Sequence, residues 1–179
     1  MRYPSPGGRQ PSTPRAPDRG NIVALHLQLL ALANDLVFAV CLGSDDDTLD
    51  AARLRRATST AYYALFNAIA AEAANLLAIP GSSEWARVYR ALNHAPCKKA
   101  CLGMANKSEL PQAIRDCASI FTSLQQARQS ADYDPSWVPD NLGVLAHVIA
   151  AGKAITGLAA ATEPERRAFV LCLLFQERN

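Results

Sequence analysis

The segment from about Leu49 to Ala78 constrains the fold more than any other part of the chain, because it carries the strongest helical pattern. Side chains three or four positions apart lie on one face of a helix. The apolar residues of this segment fall near one such stripe, at Leu54, Ala61, Tyr62, Leu65, Ile69, Ala73 and Leu76. Pro80-Gly81 then interrupts the pattern, because these residues favour turns. The sequence therefore predicts one long amphipathic helix here.

The rest of the chain is also predicted to be helical. Half of the residues are hydrophobic, and Ala and Leu supply most of this apolar content, which favours helix over strand. Periodicity and capping signals predict further helices at about 21–41, 83–93, 111–130, 141–160 and 166–176. The last of these follows Thr162-Glu163-Pro164-Glu165, which matches a capping box. We therefore predict an all-α fold, a bundle of four to six helices.

The chain is predicted to divide into a short tail and one domain. Residues 1–20 are rich in proline, glycine and arginine, a composition typical of a disordered tail. Residues 21–179 are long enough to form a single helical domain with its own core. The tail lacks the apolar run of a secretory leader, and polar residues interrupt the longest apolar stretch, 22–42. We therefore expect a cytoplasmic protein with no membrane span.

Two segments together point to a known family. Residues 54–66 (LRRATSTAYYALF) place an Ala-Tyr-Tyr-Ala-x-Phe core after basic residues. Residues 124–135 (LQQARQSADYDP) contain an Arg-x-x-Ala-Asp-Tyr stretch near the end of a later predicted helix. In order and spacing, both resemble the corresponding parts of the HEPN superfamily, and the resemblance covers about residues 21–160.

The resemblance implies a four- or five-helix bundle that is usually dimeric. Many members of the superfamily are metal-independent ribonucleases, often toxins or antiviral effectors. Others are not catalytic and bind nucleotides or partner with small nucleotidyltransferases. In catalytic members an Arg and a His, with four to six residues between them, lie on one helix and face the dimer cleft.

A first candidate site pairs Arg87 with His94, which have six residues between them. On a single helix, this separation of nearly two turns would place both on one face, with Arg90 one turn from His94. A neutral imidazole can take the proton of an RNA 2′-hydroxyl, and a guanidinium can stabilise the charge on the scissile phosphate. Arg87 and His94 are therefore the candidate catalytic residues of a metal-independent endoribonuclease, with the 2′,3′-cyclic phosphate product that the resemblance implies.

A second candidate site centres on Arg128, whose helix the resemblance aligns with the catalytic helix of the nuclease members. Their histidine would fall near Tyr133, but no histidine occurs between Arg128 and Pro135. This departure favours binding over catalysis. The predicted residues for binding nucleic acid or nucleotide are Tyr62, Arg90, Arg128, Asp132 and Tyr133. Packing by Tyr62 and a simple i,i+4 ion pair between Arg128 and Asp132 are the alternatives.

A structural zinc site is a third hypothesis. His94, Cys97, Cys101 and Cys117 offer ligands at spacings of three and four residues over the first three positions. The paired Cys-x-x-Cys that is typical of such sites does not occur. Buried or surface thiols on helices explain these cysteines better, and the sequence predicts neither a metal nor another cofactor.

The sequence leaves two main functions open. The first is a module that binds nucleic acid, a nucleotide or a protein partner, in a toxin–antitoxin or defence system. The second is the endoribonuclease that uses Arg87 and His94. The 18 basic and 16 acidic residues give a net charge of +2, which neither requires nor excludes RNA. The expected partners are a second copy of the chain and RNA, a nucleotide or a small nucleotidyltransferase-type protein.

Overall fold

The fold is all helical, as a computed structural model describes it for residues 25–43 and 47–175. This part of the chain contains seven helices and no strand. They are α1 (Leu25–Cys41), α2 (Asp47–Leu77), α3 (Ser83–Ala91), α4 (His94–Met104), α5 (Gln112–Tyr133), α6 (Asn141–Ala160) and α7 (Glu163–Leu174). The predicted all-α bundle is confirmed, with one helix beyond the expected upper number. The predicted tail, 1–20, lies outside the described residues.

The long helix α2 forms the centre of the bundle. It packs against α1, α3, α5, α6 and α7. Many of its buried positions are alanine, and the larger Tyr62, Leu65 and Ile69 are also fully buried. Small side chains let neighbouring helices approach closely on several sides, while the larger ones fill the space between them. The predicted amphipathic helix therefore becomes a core helix that is covered on more than one face.

The region around His94 differs from the prediction, which placed one helix at 83–93 and a weakly patterned stretch after it. Helix α3 ends at Ala91, Leu92 and Asn93 are extended, and α4 begins at His94. Pro96 is compatible with α4 because it lies in the first turn, where a backbone N–H has no partner within the helix. The stripe that α4 buries consists of Cys97, Cys101 and Met104.

The last two helices close the bundle. The predicted capping box is present at the start of α7, where the backbone N–H of Thr162 donates to the Glu165 carboxylate at 2.8 Å. Helix α7 buries Phe169, Val170 and Leu173 against the bundle and leaves Leu171 partly exposed. Helix α6 is long and apolar enough to cross a membrane by length and composition, a property shared by core helices of soluble proteins.

Candidate functional site

One stripe of α2 meets the start of α4 and the end of α5, and the candidate site lies at this junction. The stripe consists of Arg55, Ser59, Tyr62 and Phe66, with Tyr63 beside it. Spacings of four, three and four residues place the four side chains on one side of the helix. The stripe therefore continues the apolar face of α2 but carries polar groups at its N-terminal end.

His94 is held by a buried tyrosine from α2. The Tyr62 hydroxyl lies 2.5 Å from the His94 Nδ1, and Tyr62 is only 1% exposed. The imidazole also packs on Phe66, with ring centroids 4.0 Å apart. The backbone at this point is fixed as well, because the side-chain amide of the buried Gln125 donates to the His94 carbonyl oxygen at 3.2 Å. Although the residue is exposed, two side chains of α2 orient its ring and one side chain of α5 holds its backbone.

The electrostatics favour a neutral imidazole with a defined tautomer. Burial, and then the positive charge of Arg128, lower the pKa of His94. Burial raises the pKa of Tyr62 far above its usual value, so its hydroxyl keeps the proton. Among the described residues, His94 is the hydrogen-bond partner of this hydroxyl. A buried O–H needs an acceptor, so we infer that Tyr62 donates to Nδ1 and that the His94 proton lies on Nε2.

Arg128 is oriented by an acidic residue and two tyrosines. Its Nε lies 2.7 Å from Asp132 Oδ2, and its Nη2 donates to the hydroxyls of Tyr63 at 2.8 Å and Tyr133 at 3.3 Å. The guanidinium carbon lies 5.4 Å from the centre of the Tyr63 ring and 5.1 Å from that of Tyr133. Asp132 is itself held by α2, because the buried Ser59 hydroxyl donates to Asp132 Oδ2 at 3.3 Å.

Tyr63 joins the two halves of the site. Its ring centroid lies 6.0 Å from that of His94, and the Arg128 guanidinium lies over the same ring. Within the described residues, the Nη1 group of Arg128 and the Nε2 of His94 have no hydrogen-bond partner. Two N–H donor groups from different helices are thus available beside one tyrosine, an arrangement that can bind an anionic oxygen.

The structure brings most of the predicted site residues together, but it places His94 beside Arg128 and not beside Arg87. His94, Arg128 and Tyr62 belong to one cluster, together with Asp132 and Tyr133. Arg87 and Arg90 lie exposed on α3, outside this cluster.

The reason for pairing Arg87 with His94 was wrong. The two residues do not share a helical face, because α3 ends at Ala91 and His94 begins α4. Arg87 instead lines an open surface depression with Glu84 and Val88.

Several residues of the site were not predicted. Ser59, Tyr63, Phe66 and Gln125 contact predicted site residues, and Arg55 holds the segment that follows α5. Ser59 gave one usable signal, since a polar residue on a predicted apolar stripe requires a buried partner. Gln125 gave none, because its contact with the His94 backbone depends on how α4 and α5 pack.

The cysteines that suggested a zinc site are core residues. Cys97, Cys101 and Cys117 are buried, and burial raises the pKa of Cys97 to about 11 and that of Cys117 to about 12. The three thiols therefore pack as apolar side chains inside the bundle. The part of the chain that the structure describes contains no group of three or more His, Cys, Asp or Glu side chains placed to hold a metal ion.

Comparison of the chain with protein-family models, with curated proteins and with solved structures found no match. The resemblance to the HEPN superfamily therefore stays a prediction, based on residues 54–66 and 124–135. The structure adds one relation between these two segments. They contact each other directly, through Tyr63 with Arg128 and through Ser59 with Asp132.

Proposed function

We propose that this chain is a non-catalytic module of the cytoplasm that binds nucleic acid or a nucleotide through a phosphate group held by Arg128 and His94. The observation that carries the proposal is the placement of both residues against Tyr63, each with an N–H donor group unused among the described residues. Phosphate oxygens accept hydrogen bonds from guanidinium and imidazole N–H groups. The inferred His94 tautomer supports binding, because a protonated Nε2 donates a hydrogen bond and cannot act as a base.

The charge balance of the site favours a phosphodiester over a terminal phosphate. The Asp132 carboxylate, whose Oδ2 lies 2.7 Å from Arg128 Nε, offsets the positive charge of that arginine. The lowered pKa of His94 keeps its ring neutral near pH 7. A doubly charged monophosphate loses more hydration free energy on binding than a singly charged phosphodiester does, and a site with so little positive charge offsets less of that loss. The site therefore favours the phosphodiester.

The aromatic surface favours single strands. Tyr133 is 71% exposed beside Arg128, and an exposed aromatic ring can stack on an unpaired base, a contact that contributes about 1–3 kcal/mol. The net charge of +2 supplies little of the sequence-independent attraction to phosphates on which duplex binders depend. We therefore propose short single-stranded RNA as the ligand.

The test is the fluorescence anisotropy of a labelled, unstructured RNA oligonucleotide in EDTA at low salt. We expect the wild type to bind and Arg128→Ala to lose at least ten-fold in affinity, because the substitution removes the guanidinium and its hold on Tyr133. Arg115→Ala is the matched control, since Arg115 lies on the same helix and pairs with Gln112 away from the site. Arg90→Ala tests the predicted contribution of α3. Absence of wild-type binding, or equal losses in Arg128→Ala and Arg115→Ala, would refute the proposed site.

A metal-independent endoribonuclease is the second candidate, favoured by one observation: the His94 imidazole and the Arg128 guanidinium, the two groups that such chemistry needs, lie against the same tyrosine ring, that of Tyr63. Here the guanidinium that stabilises the scissile phosphate would come from Arg128 or, as the sequence predicted, from Arg87. This activity requires His94 to accept a proton at Nε2, so Tyr62 would have to accept from Nδ1–H instead of donating. RNA cleavage in EDTA that is lost in His94→Ala would establish it, and the loss in Arg128→Ala or Arg87→Ala would identify the partner.

We also propose that the chain forms a homodimer through the outer faces of α1 and α6. These neighbouring helices leave Leu27, Phe38 and Ile149 about half exposed, and they carry one exposed residue of each charge, Asp35 and Lys153. In a two-fold interface the acidic residue of one copy can pair with the basic residue of the other. Apolar surface with so few charges is typical of homodimer contacts.

Sedimentation velocity over a range of concentrations tests this interface. We expect Phe38→Glu to convert the dimer to a monomer and Leu171→Glu, on the exposed side of α7, to leave it dimeric. The reverse result would place the interface on α7, and a monomeric wild type would remove the homodimer and leave a different protein as the partner of this face.

A further inference from the structure

The end of α5 and the turn after it are held by one side chain of α2, Arg55. Its Nη1 donates to the carbonyl oxygens of Ala131 at 3.0 Å and Asp134 at 2.9 Å. Its Nη2 donates to the carbonyl oxygens of Pro135 at 3.3 Å and Trp137. The guanidinium carbon also lies 5.5 Å from the centre of the Trp137 ring. One guanidinium thus satisfies four backbone carbonyls within seven residues.

The carbonyls that Arg55 binds lie on either side of the two residues that orient Arg128. Ala131 precedes Asp132, and Asp134 follows Tyr133. The last carbonyls of a helix have no partner within it, so the final turn frays unless donors from elsewhere hold it. Asp132 and Tyr133 supply two of the three side chains that contact the Arg128 guanidinium. Their position therefore depends on how firmly the end of α5 is held.

We propose that Arg55 is a positioning residue for the anion site: by binding the carbonyls around Asp132 and Tyr133, it holds Arg128 against Tyr63 and beside His94. The expected effect on ligand binding rests on the proposed function, whereas the positioning of Arg128 by Arg55 does not depend on any ligand. Ser59 assists one turn further along α2, because its hydroxyl binds Asp132 directly. One face of α2 thus holds two parts of the site. Ser59 binds the Asp132 carboxylate that orients Arg128, and Arg55 binds the backbone on either side of Asp132 and Tyr133.

A planar guanidinium is required because the four acceptors are divided between its two terminal nitrogens. The ammonium group of lysine presents all its donors from a single atom and cannot reproduce this geometry. Arg55→Lys therefore keeps the positive charge and removes most of the hold on the turn. Because the charge is unchanged, a change at His94 in this variant reports a movement of Arg128 rather than the loss of a charge.

The experiment combines an NMR titration of the His94 ring with the RNA anisotropy assay. We expect Arg55→Lys to raise the pKa of His94, in the direction that Arg128→Ala does, because the guanidinium charge moves away from the ring. RNA affinity should fall about ten-fold in parallel. Arg53→Lys is the matched control, since Arg53 lies on the same helix and pairs only with Asp50 among the described residues. It should change neither quantity.

The outcomes separate the inference from the proposed function. If Arg55→Lys is folded and the pKa of His94 matches the wild type, Arg55 is a structural anchor only and the inference is overturned. If the pKa rises but the wild type binds no RNA, the positioning role stands and the proposed ligand is wrong. If Arg55→Lys does not fold, Arg55→Gln provides the second variant, and a pKa of His94 that matches the wild type in that variant overturns the inference.

Discussion

Replacing Tyr62 by phenylalanine tests the central assignment of the site, the direction of its hydrogen bond with His94. The substitution removes one hydroxyl 2.5 Å from Nδ1 and leaves the ring to fill the same buried space. Since no cavity forms and His94 is exposed enough to bond water, the expected loss is that of a single hydrogen bond, about 1 kcal/mol of unfolding free energy. For a chain of this size, Tm should fall by roughly 2–4 °C.

The more informative quantity is the pKa of His94. If the Tyr62 hydroxyl donates to Nδ1, it stabilises the neutral imidazole, because a protonated Nδ1 cannot accept a hydrogen bond. Removing the hydroxyl then favours the protonated ring, and the pKa of His94 rises. If Nδ1–H instead donates to the hydroxyl, its removal takes away an acceptor that favours the protonated ring, and the pKa falls. The sign of the change therefore identifies the tautomer.

The assay is an NMR titration of the His94 ring in the wild type and in Tyr62→Phe. Tyr89→Phe is the matched control, because the Tyr89 hydroxyl donates to Asn67 on the same central helix, whereas the rings that lie against His94 are those of Tyr62, Tyr63 and Phe66. It should lose similar stability and leave the pKa of His94 unchanged. A fall in the pKa of His94 in Tyr62→Phe would refute our reasoning. It would leave Nε2 free to accept a proton and would favour the nuclease over the binding module.

The other predictions concern stability, packing and thiol reactivity. Unfolding free energy should decrease as pH falls below about 6.5, the usual pKa of an unfolded histidine, because the unfolded chain then binds more protons than the folded one. Burial is the main cause of the lowered pKa at all three histidines, His26, His94 and His147, and urea titrations between pH 7.5 and 5 should show a falling midpoint. Phe169→Ala should cost about 3–5 kcal/mol because the ring is 2% exposed, whereas Phe175→Ala, at 69% exposed, should stay within about 0.5 kcal/mol, as measured by urea unfolding. An aromatic disulfide reagent should modify the exposed Cys41 and Cys172 rapidly in the native state, and rapid modification of a third thiol would contradict the packing of the core.

The all-helical fold could be predicted because its strongest signals are local. The stripe of α2 and the capping box before α7 are both readable from spacings of three and four residues. Helix α4 could not be predicted in this way, because Pro96 and a run of polar residues conceal a short buried stripe of Cys97, Cys101 and Met104. Cysteine and methionine pack as apolar residues here, so the stripe is visible only once they are counted as such.

Five residues of the candidate site were singled out from the sequence, but the pairs that they form were not. His94 and Arg128 were each singled out, yet the partner assigned to His94 was Arg87, on the assumption of one continuous helix. The break at Leu92 and Asn93 ends α3 and lets His94 begin a new helix that packs on α5, beside Arg128. Such a break costs little locally, so tertiary packing decides it, and a spacing rule applied across it pairs the wrong residues.

Arg55 and Ser59 show which signal in the sequence would have identified the site more directly. Both lie on the same stripe of α2 as the buried Tyr62, where an apolar core predicts apolar residues. A polar group on such a stripe must find a partner on a facing element, because burial without one costs about 1–3 kcal/mol. Two such residues one turn apart therefore predict that a facing segment supplies several polar partners, such as a helix end with its free carbonyls. The segment 131–137 fits this description, since it directly follows the predicted helix 111–130 and contains Pro135, with Pro139 two residues beyond it. Polar residues on the apolar stripe of one helix can therefore be matched with the ends of other predicted helices. Applied to this chain, that rule places Arg128, one turn before the end of its helix, beside α2 without any resemblance to a known family.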